Sequence, residues 1–173
     1  MSLITDESLQ SLWTDAQNDI TNAWASVPLW NNLWNKHIFW EDQWNIAPES
    51  SRVSRSGRMR VITTIRIYPK GKLVAIGFHE AGEPDQDVRD AEGQAAKVCR
   101  WYLARSENAG LRFVYVVTSL GTAGKVWRFD RGLGRLVTLS GGSPDLEPYV
   151  ELHSQEATQL RAAFYSIREK AVM

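Results

Sequence analysis

Arginine and lysine are concentrated in two stretches of this sequence, and clustered cations are the chemistry that binds phosphate. Residues 51–79 carry seven bases and no acid, and residues 97–135 carry eight bases against two acids. If the first basic stretch binds a polyanion such as nucleic acid, the expected contacts are Arg52, Arg55, Arg58, Arg60 and Arg66. The alternative is that these bases pair with the acids that dominate residues 1–49 and 80–92, an arrangement worth little net stability at a surface.

Other motifs that could do chemistry are incomplete. Residues 121–125, GTAGK, lack the earlier glycine and the Ser or Thr after lysine that a phosphate-binding loop needs, so we predict a hairpin turn there. The histidines, His37, His79 and His153, are isolated and have no metal-ligand spacing with Cys99. Cys99 lies on a predicted apolar helix stripe, which favours a small core residue over a nucleophile.

Length and composition limit the class of protein. A chain of 173 residues suits one domain, residues 1–173, and 43% hydrophobic with 23% charged residues is a globular mixture. Lys+Arg 20 balance Asp+Glu 20, which argues against a uniformly basic coat protein. The chain has a single cysteine, which fits a reducing compartment. It has no apolar run near the ~20 residues that cross a bilayer, and its acidic N-terminus is unlike a signal peptide. We therefore expect an intracellular protein, cytoplasmic or nuclear, without a membrane partner.

The spacing of apolar residues predicts the elements that position these groups. Helical spacing predicts a Trp-rich helical segment over residues 1–45, in which Pro28 ends or kinks the first helix. Residues 46–58 are predicted to form a loop, and 80–90 an acidic loop. A change to period two at residue 59 begins a sheet and helix core over 59–170, with helices at 88–107 and 154–170. The order predicts an α/β (α+β) domain with a mixed central sheet of about four to six strands flanked by helices.

The sequence from Gly71 onward resembles the PD-(D/E)XK nuclease-like superfamily. The runs that carry the likeness are GKLVAIGFHEAG, EGQAAKVCRWYLAR and LRFVYVVTSLGTAGKVWRFDRG. In that superfamily a strand bearing Glu-x-Lys leads into a helix bearing a glutamine, and a hydrophobic strand and a Gly-Thr hairpin follow. With WNIAPESS, which is similar to the end of the family's N-terminal helix, the likeness covers residues 40–170. It is strongest to fungal proteins of that fold with no assigned role, and it implies a restriction-endonuclease-like fold.

The resemblance implies a nuclease site whose metal-binding carboxylates this sequence lacks. The family's aspartate maps near residues 56–58, and its Glu-x-Lys maps to residues 77–79. Neither of these segments contains an acidic residue. Glu49 and Gln94 match accessory positions, while Glu80 falls one residue late, on the opposite face of a strand. If activity survives, the residues to suspect are Glu49, His79, Glu80 and Gln94. We expect no metal and no cofactor; Mg²⁺, which needs oxygen ligands, would serve only a shifted site.

Three functions stay open at this point. The first is a catalytically degenerate nuclease-like domain that binds nucleic acid or a protein through its basic residues. The second is an active enzyme with a shifted site, either a nuclease or a small-molecule enzyme. The third is a self-associating protein, such as a homodimer, that uses its Trp-rich helices, because tryptophan is enriched at interface anchors. Six of the 8 tryptophans lie in the first 44 residues, where core packing is their first expected role.

Overall fold

The computed structural model describes residues 1–19, 23–53, 59–67, 74–139 and 148–172. Its α-helices are α1 (Glu7–Asn18), α2 (Ala23–Asn32), α3 (Val88–Ala104) and α4 (Ala157–Val172). A π-helix, Leu33–Ile38, continues α2, and a 3₁₀ turn, Ser106–Asn108, follows α3. The strands are β1 (Trp44–Val53), β2 (Met59–Ile67), β3 (Val74–Gly82), β4 (Phe113–Leu120), β5 (Ala123–Asp130), β6 (Arg135–Thr138) and β7 (Val150–Glu151).

All of these strands belong to one mixed sheet. Its order is β1-β2-β3-β4-β5-β6, with the short β7 paired to β5. Neighbouring strands are antiparallel except β3 and β4, which are parallel and are joined by the crossover helix α3. The β4–β5 hairpin turns at Gly121, whose φ of 57° suits glycine, so the turn predicted for GTAGK is confirmed. The predicted class, a mixed sheet flanked by helices, is confirmed as well.

Helices cover both faces of the sheet, and each face has its own core. On one face α1, α2, the π-helix and α4 pack against the sheet around Trp30, Trp34 and Phe164. On the other face α3 packs through Cys99 and its neighbours. Val116 lies in the α3 core and Val117 in the opposite core, so β4 is buried on both faces, as its β-branched sequence predicts. Cys99 is a core residue, as predicted.

The loop predicted for residues 46–58 is wrong over its first part, because β1 runs through it to Val53. Pro48 and the serines around it have low strand propensity, but β1 is an edge strand, where proline is tolerated. A bulge between Pro48 and Ser50 absorbs the irregularity. This strand brings the sheet to seven strands. The acidic loop predicted from residue 80 also begins later, because β3 continues to Gly82.

Pro28 neither ends nor begins a helix in this structure. Helix α1 already ends at Asn18, and Pro28 lies inside α2, which passes directly into the π-helix. A proline inside a helix costs about 3 kcal/mol, yet the adjoining Leu29 and Trp30 are completely buried, and that packing outweighs the local penalty. Trp30, Trp34 and Trp44 are all buried, so the core role expected for the tryptophans is confirmed for these three.

Candidate functional site

His79, one of the suspected catalytic residues, is sealed inside the core. It lies on β3 with 1% of its surface exposed. The indole N–H of Trp34 donates to its Nδ1 at 3.1 Å, so Nε2 carries the proton and lies 2.8 Å from the Ser119 hydroxyl. Burial lowers the pKa of His79 to about 3. At neutral pH this imidazole is therefore an uncharged link between the π-helix and the sheet, without solvent access.

Glu80 lies on the opposite face of the sheet from His79, because successive strand residues alternate sides. Glu80 is buried. On the neighbouring strands Thr118 of β4 lies beside it, and Lys125 of β5 lies beside Thr118. Gln94 is half-buried on α3, the helix that covers this face. The backbone of Glu49 is at the bulge of β1, and its side chain lies outside the described residues. The structure thus separates His79 from Glu80 instead of placing both in one pocket.

A polar cluster that sequence reasoning missed surrounds Lys125 on the α3 face. The Lys125 ammonium lies 3.8 Å from a Glu92 carboxylate oxygen and 4.1 Å from the centre of the Trp127 ring. Thr118 accepts the indole N–H of Trp127 at 2.9 Å, and its hydroxyl is 2.7 Å from that of Tyr149. Burial raises the pKa of Tyr149, so the phenol is neutral. The sequence signal for this cluster is the β4–β5 hairpin, whose register sets Thr118 opposite Lys125, with Trp127 two residues further on the same face.

The Lys125 cluster combines carboxylates with an amine, a set that metal-assisted hydrolysis can use. Glu80 and Lys125 are only 3% and 5% exposed, which denies a polymeric substrate any contact with them. Within the described ranges, no group of three or more His, Cys, Asp or Glu side chains could hold a metal ion. The geometry therefore fits a paired polar region of the core better than a catalytic centre for a polymer.

The strand face of β2 that carries Arg60 and Arg66 is buried in its middle. On β2 the side chains from Val61 to Ile65 are all buried, so the middle of the face shared by Arg60 and Arg66 belongs to the core. Ile62, between the two arginines on this face, packs in the core that α3 covers. Arg66 is half-buried near one end of β2. At the other end, the backbone register sets Arg52 opposite Arg60, while Arg55 and Arg58 lie outside the described residues.

That arginine-rich end of the β1–β2 hairpin lies beside the acidic segment after β3. The register places Val61 next to Ala81, two residues before Glu83. Asp85 and Asp87 follow in the same segment. The backbones of the two oppositely charged stretches are therefore neighbours at one corner of the sheet, an arrangement that the pairing alternative for the first basic stretch requires.

The second basic stretch converges on a groove between the C-terminal end of α3 and the turn that joins β5 to β6. We call it the arginine groove; its volume is about 540 Å³. Apolar side chains, Leu103 and Phe129, form part of its wall. Its polar lining includes three guanidinium groups, those of Arg100, Arg105 and Arg131. Residues separated by up to 34 positions, from Arg100 to Gly134, are brought together here by the α3 crossover and the β4–β5 hairpin.

Each groove arginine is held in its own way. Arg131 donates to the carbonyls of Leu103, Asn108 (2.8 Å) and Ala109 (2.6 Å), so it caps the chain after α3. Arg100 donates to the carbonyl of Gly134 at 3.4 Å, and its guanidinium lies 5.9 Å from the centre of the Phe129 ring. Among the described residues, neither Arg131 nor Arg100 is paired with a carboxylate.

Arg105 is the one groove arginine that pairs with a carboxylate in the described part of the chain. Its Nε lies 3.2 Å from Glu107, and both side chains are about half exposed. Such an exposed pair is weak and exchanges readily with another anion. The guanidinium also lies 4.8 Å from the centre of the Trp101 ring, which is 63% exposed. More positive charge flanks the same end of the sheet, because Arg112 precedes β4 and Arg135 opens β6.

Comparison of the chain with protein-family models, with curated proteins and with solved structures finds no match. In the ranges that the structure describes, every helix is too short or too polar to cross a membrane. Function therefore has to be inferred from the chemistry of the groove and of the cores around it.

Proposed function

We propose that this protein is a catalytically degenerate, nuclease-like domain that binds nucleic acid through the arginine groove. The observation that carries the proposal is the convergence of Arg100, Arg105 and Arg131 on one groove, with Glu107 their only carboxylate partner in the described structure. Guanidinium groups form planar, charge-assisted hydrogen bonds with phosphate oxygens. An anion bound here meets the positive charge of Arg100 and Arg131, which have no carboxylate partner among the residues that the structure describes.

A neutral protein can bind a polyanion when its charges are segregated. Lys+Arg equals Asp+Glu over the whole chain, but residues 97–135 carry eight bases and two acids. The potential near a surface depends on the local charges within a Debye length of about 8–10 Å. The arginine groove therefore attracts phosphate even though the net charge is zero.

Two features support a nuclease-like domain without catalysis: the order of the elements and the burial of the polar residues around Lys125. The order β3, α3, β4, β5 is the one that the nuclease-like resemblance implies. At the position of the family's Glu-x-Lys, this chain has Gly77 and the buried, neutral His79. The nearby carboxylate of Glu80 is buried on the other face. Binding without cleavage is the function that agrees with these features. The single, buried Cys99 fits a reducing cytoplasmic or nuclear compartment.

The test is a salt titration of binding, measured by fluorescence anisotropy of a labelled oligonucleotide. We expect binding at low salt and a linear fall of log affinity with log salt concentration. The double variant Arg100→Ala/Arg105→Ala should flatten that slope by about one to two units, because each arginine neutralises about one phosphate. Arg131 is left in place because it caps α3. The exposed Arg89, at the other end of α3, provides the matched control Arg89→Ala.

The first basic stretch supplies the competing arm of the same experiment. The variant Arg55→Ala/Arg58→Ala should leave the salt slope unchanged if the groove is the interface. A flattened slope in that variant with an unchanged slope in Arg100→Ala/Arg105→Ala would overturn the groove assignment. Absence of binding to DNA and RNA at low salt would overturn nucleic-acid binding altogether.

Self-association is a second candidate function, and one surface patch favours it. Trp40 is 59% exposed beside Tyr165, and the Arg168 guanidinium lies 5.5 and 6.0 Å from their rings while it pairs with Glu41. Trp, Tyr and Arg are the residues that dominate interface hot spots. Light scattering over a concentration series tests this candidate. A dimer that Trp40→Ala converts to a monomer would support it, and a monomer at all concentrations would exclude it.

A further inference from the structure

We infer that the arginine groove takes a single strand of nucleic acid, one base of which stacks on the indole of Trp101. The inference rests on the proposed function and adds the class of ligand and the residue that selects it. Three observations carry it: the exposure of Trp101, its contact with Arg105, and the position of that arginine in the groove wall.

Trp101 is not part of either hydrophobic core. The buried stripe of α3 runs through Ala95, Cys99 and Leu103, so Trp101 lies on the outer side of the helix. It is 63% exposed, whereas the core residues Trp30, Trp34 and Trp127 are completely buried. An exposed indole offers a flat apolar surface to a ligand, and a nucleobase is a ligand that fits it.

Arg105 connects the indole to the groove. Its guanidinium lies 4.8 Å from the Trp101 ring centre and also lines the groove beside Arg100. A base stacked on Trp101 therefore has its own backbone next to the groove cations. Base stacking on an aromatic ring combined with phosphate contacts along a basic groove is the usual mode of single-strand binding.

A duplex cannot use this arrangement, because its bases are already stacked inside the helix and expose only their edges. A single strand presents both its bases and its phosphates. A free mononucleotide offers the same chemistry over one unit, and the groove volume of about 540 Å³ lies in the range of small-ligand sites. The length dependence of binding separates these two sources of the same chemistry.

The experiment compares four probes on the full chain: a labelled single-stranded DNA of mixed sequence, the matching RNA, a hairpin duplex of that sequence, and a mononucleotide as competitor. We expect the single strands to bind more tightly than the duplex, and the mononucleotide to compete weakly. Trp101→Ala should weaken single-strand binding about five- to hundredfold, the loss typical of one stacked base. Its salt slope should not change, because the indole carries no charge.

Trp101→Phe is the conservative variant and should retain most of the affinity, because a smaller aromatic ring still stacks. Trp24→Ala, which removes another exposed indole, on α2, is the matched control and should bind as the wild type does. Circular dichroism checks that each variant folds, which the exposure of both side chains favours.

The outcomes separate this inference from the proposed function. Equal binding of single strand and duplex, with no effect of Trp101→Ala, would overturn the stacking inference and leave the groove intact. A mononucleotide that competes as well as the long strand would contradict the inference that the ligand is a single strand. No binding of any probe at low salt would overturn the proposed function itself.

Discussion

Acid should destabilise this protein through His79. The folded state holds the imidazole neutral between Trp34 and Ser119, with a pKa of about 3. In the unfolded chain a histidine has its ordinary pKa of about 6.5. Below that pH the unfolded state binds a proton that the folded state excludes, so protonation favours unfolding. The protonated ring would also direct an N–H of its own at the Trp34 indole N–H.

The size of the effect follows from the difference between the two pKa values. Between about pH 6 and pH 3, one excess proton in the unfolded state lowers the free energy of unfolding by about 1.4 kcal/mol per pH unit. The full contribution is present above the unfolded pKa and is lost as the pH falls, reaching roughly 4–5 kcal/mol near pH 3. Single domains are stable by about 5–15 kcal/mol, so this loss is a large part of the total.

Urea denaturation at pH 7, 6, 5 and 4 measures the effect in the wild type and in His79→Gln. The glutamine cannot be protonated, so the difference in unfolding free energy between the two proteins should shrink steadily as the pH falls. The exposed His153 gives the control His153→Gln, which makes the same substitution outside the core. Parallel pH profiles for the wild type and His79→Gln between pH 6 and 4 would refute the argument.

Four further substitutions have outcomes that chemical denaturation can check. Gly124→Ala should cost roughly 1–3 kcal/mol, because the new Cβ would lie 2.6 Å from the buried Trp30 ring. Gly93→Ala, in open space on α3, should instead stabilise by up to about 1 kcal/mol. Lys125→Ala should lower the free energy of unfolding by roughly 2–4 kcal/mol, because it leaves the Glu92 carboxylate without this cation. The partial exposure of Glu92 keeps the loss within that range. Arg131→Ala should cost about 2–3 kcal/mol, because three carbonyls lose a charged donor.

The candidate site shows how far residue patterns reach. The excess of bases in residues 97–135 is visible in the sequence, but the residues first expected to bind a polyanion were Arg52, Arg55, Arg58, Arg60 and Arg66. The structure sets one end of that stretch beside acids and groups Arg100, Arg105 and Arg131 around a groove. Charge along a chain is local information, whereas a groove depends on which distant segments become neighbours.

Elements whose signals are local and strong could be predicted from the amino-acid sequence. The apolar stripe of α3, the β-branched run of β4 and the glycine turn at Gly121 each formed as predicted, because helix period, strand burial and a positive φ depend on nearby residues. The mixed sheet with flanking helices followed from the order of those elements.

Other features of the fold and of the candidate site depend on contacts between distant segments. β1 exists because β2 offers it a partner, although its own residues favour a loop. Pro28 stays inside α2 because Leu29 and Trp30 are packed in the core, and the same packing made Trp30 and Trp34 structural while Trp101 remained exposed. His79 and Glu80, adjacent in the chain, were sent to opposite faces by the alternation of β3. Each of these results depends on contacts between residues far apart in sequence, whose energy no local pattern contains.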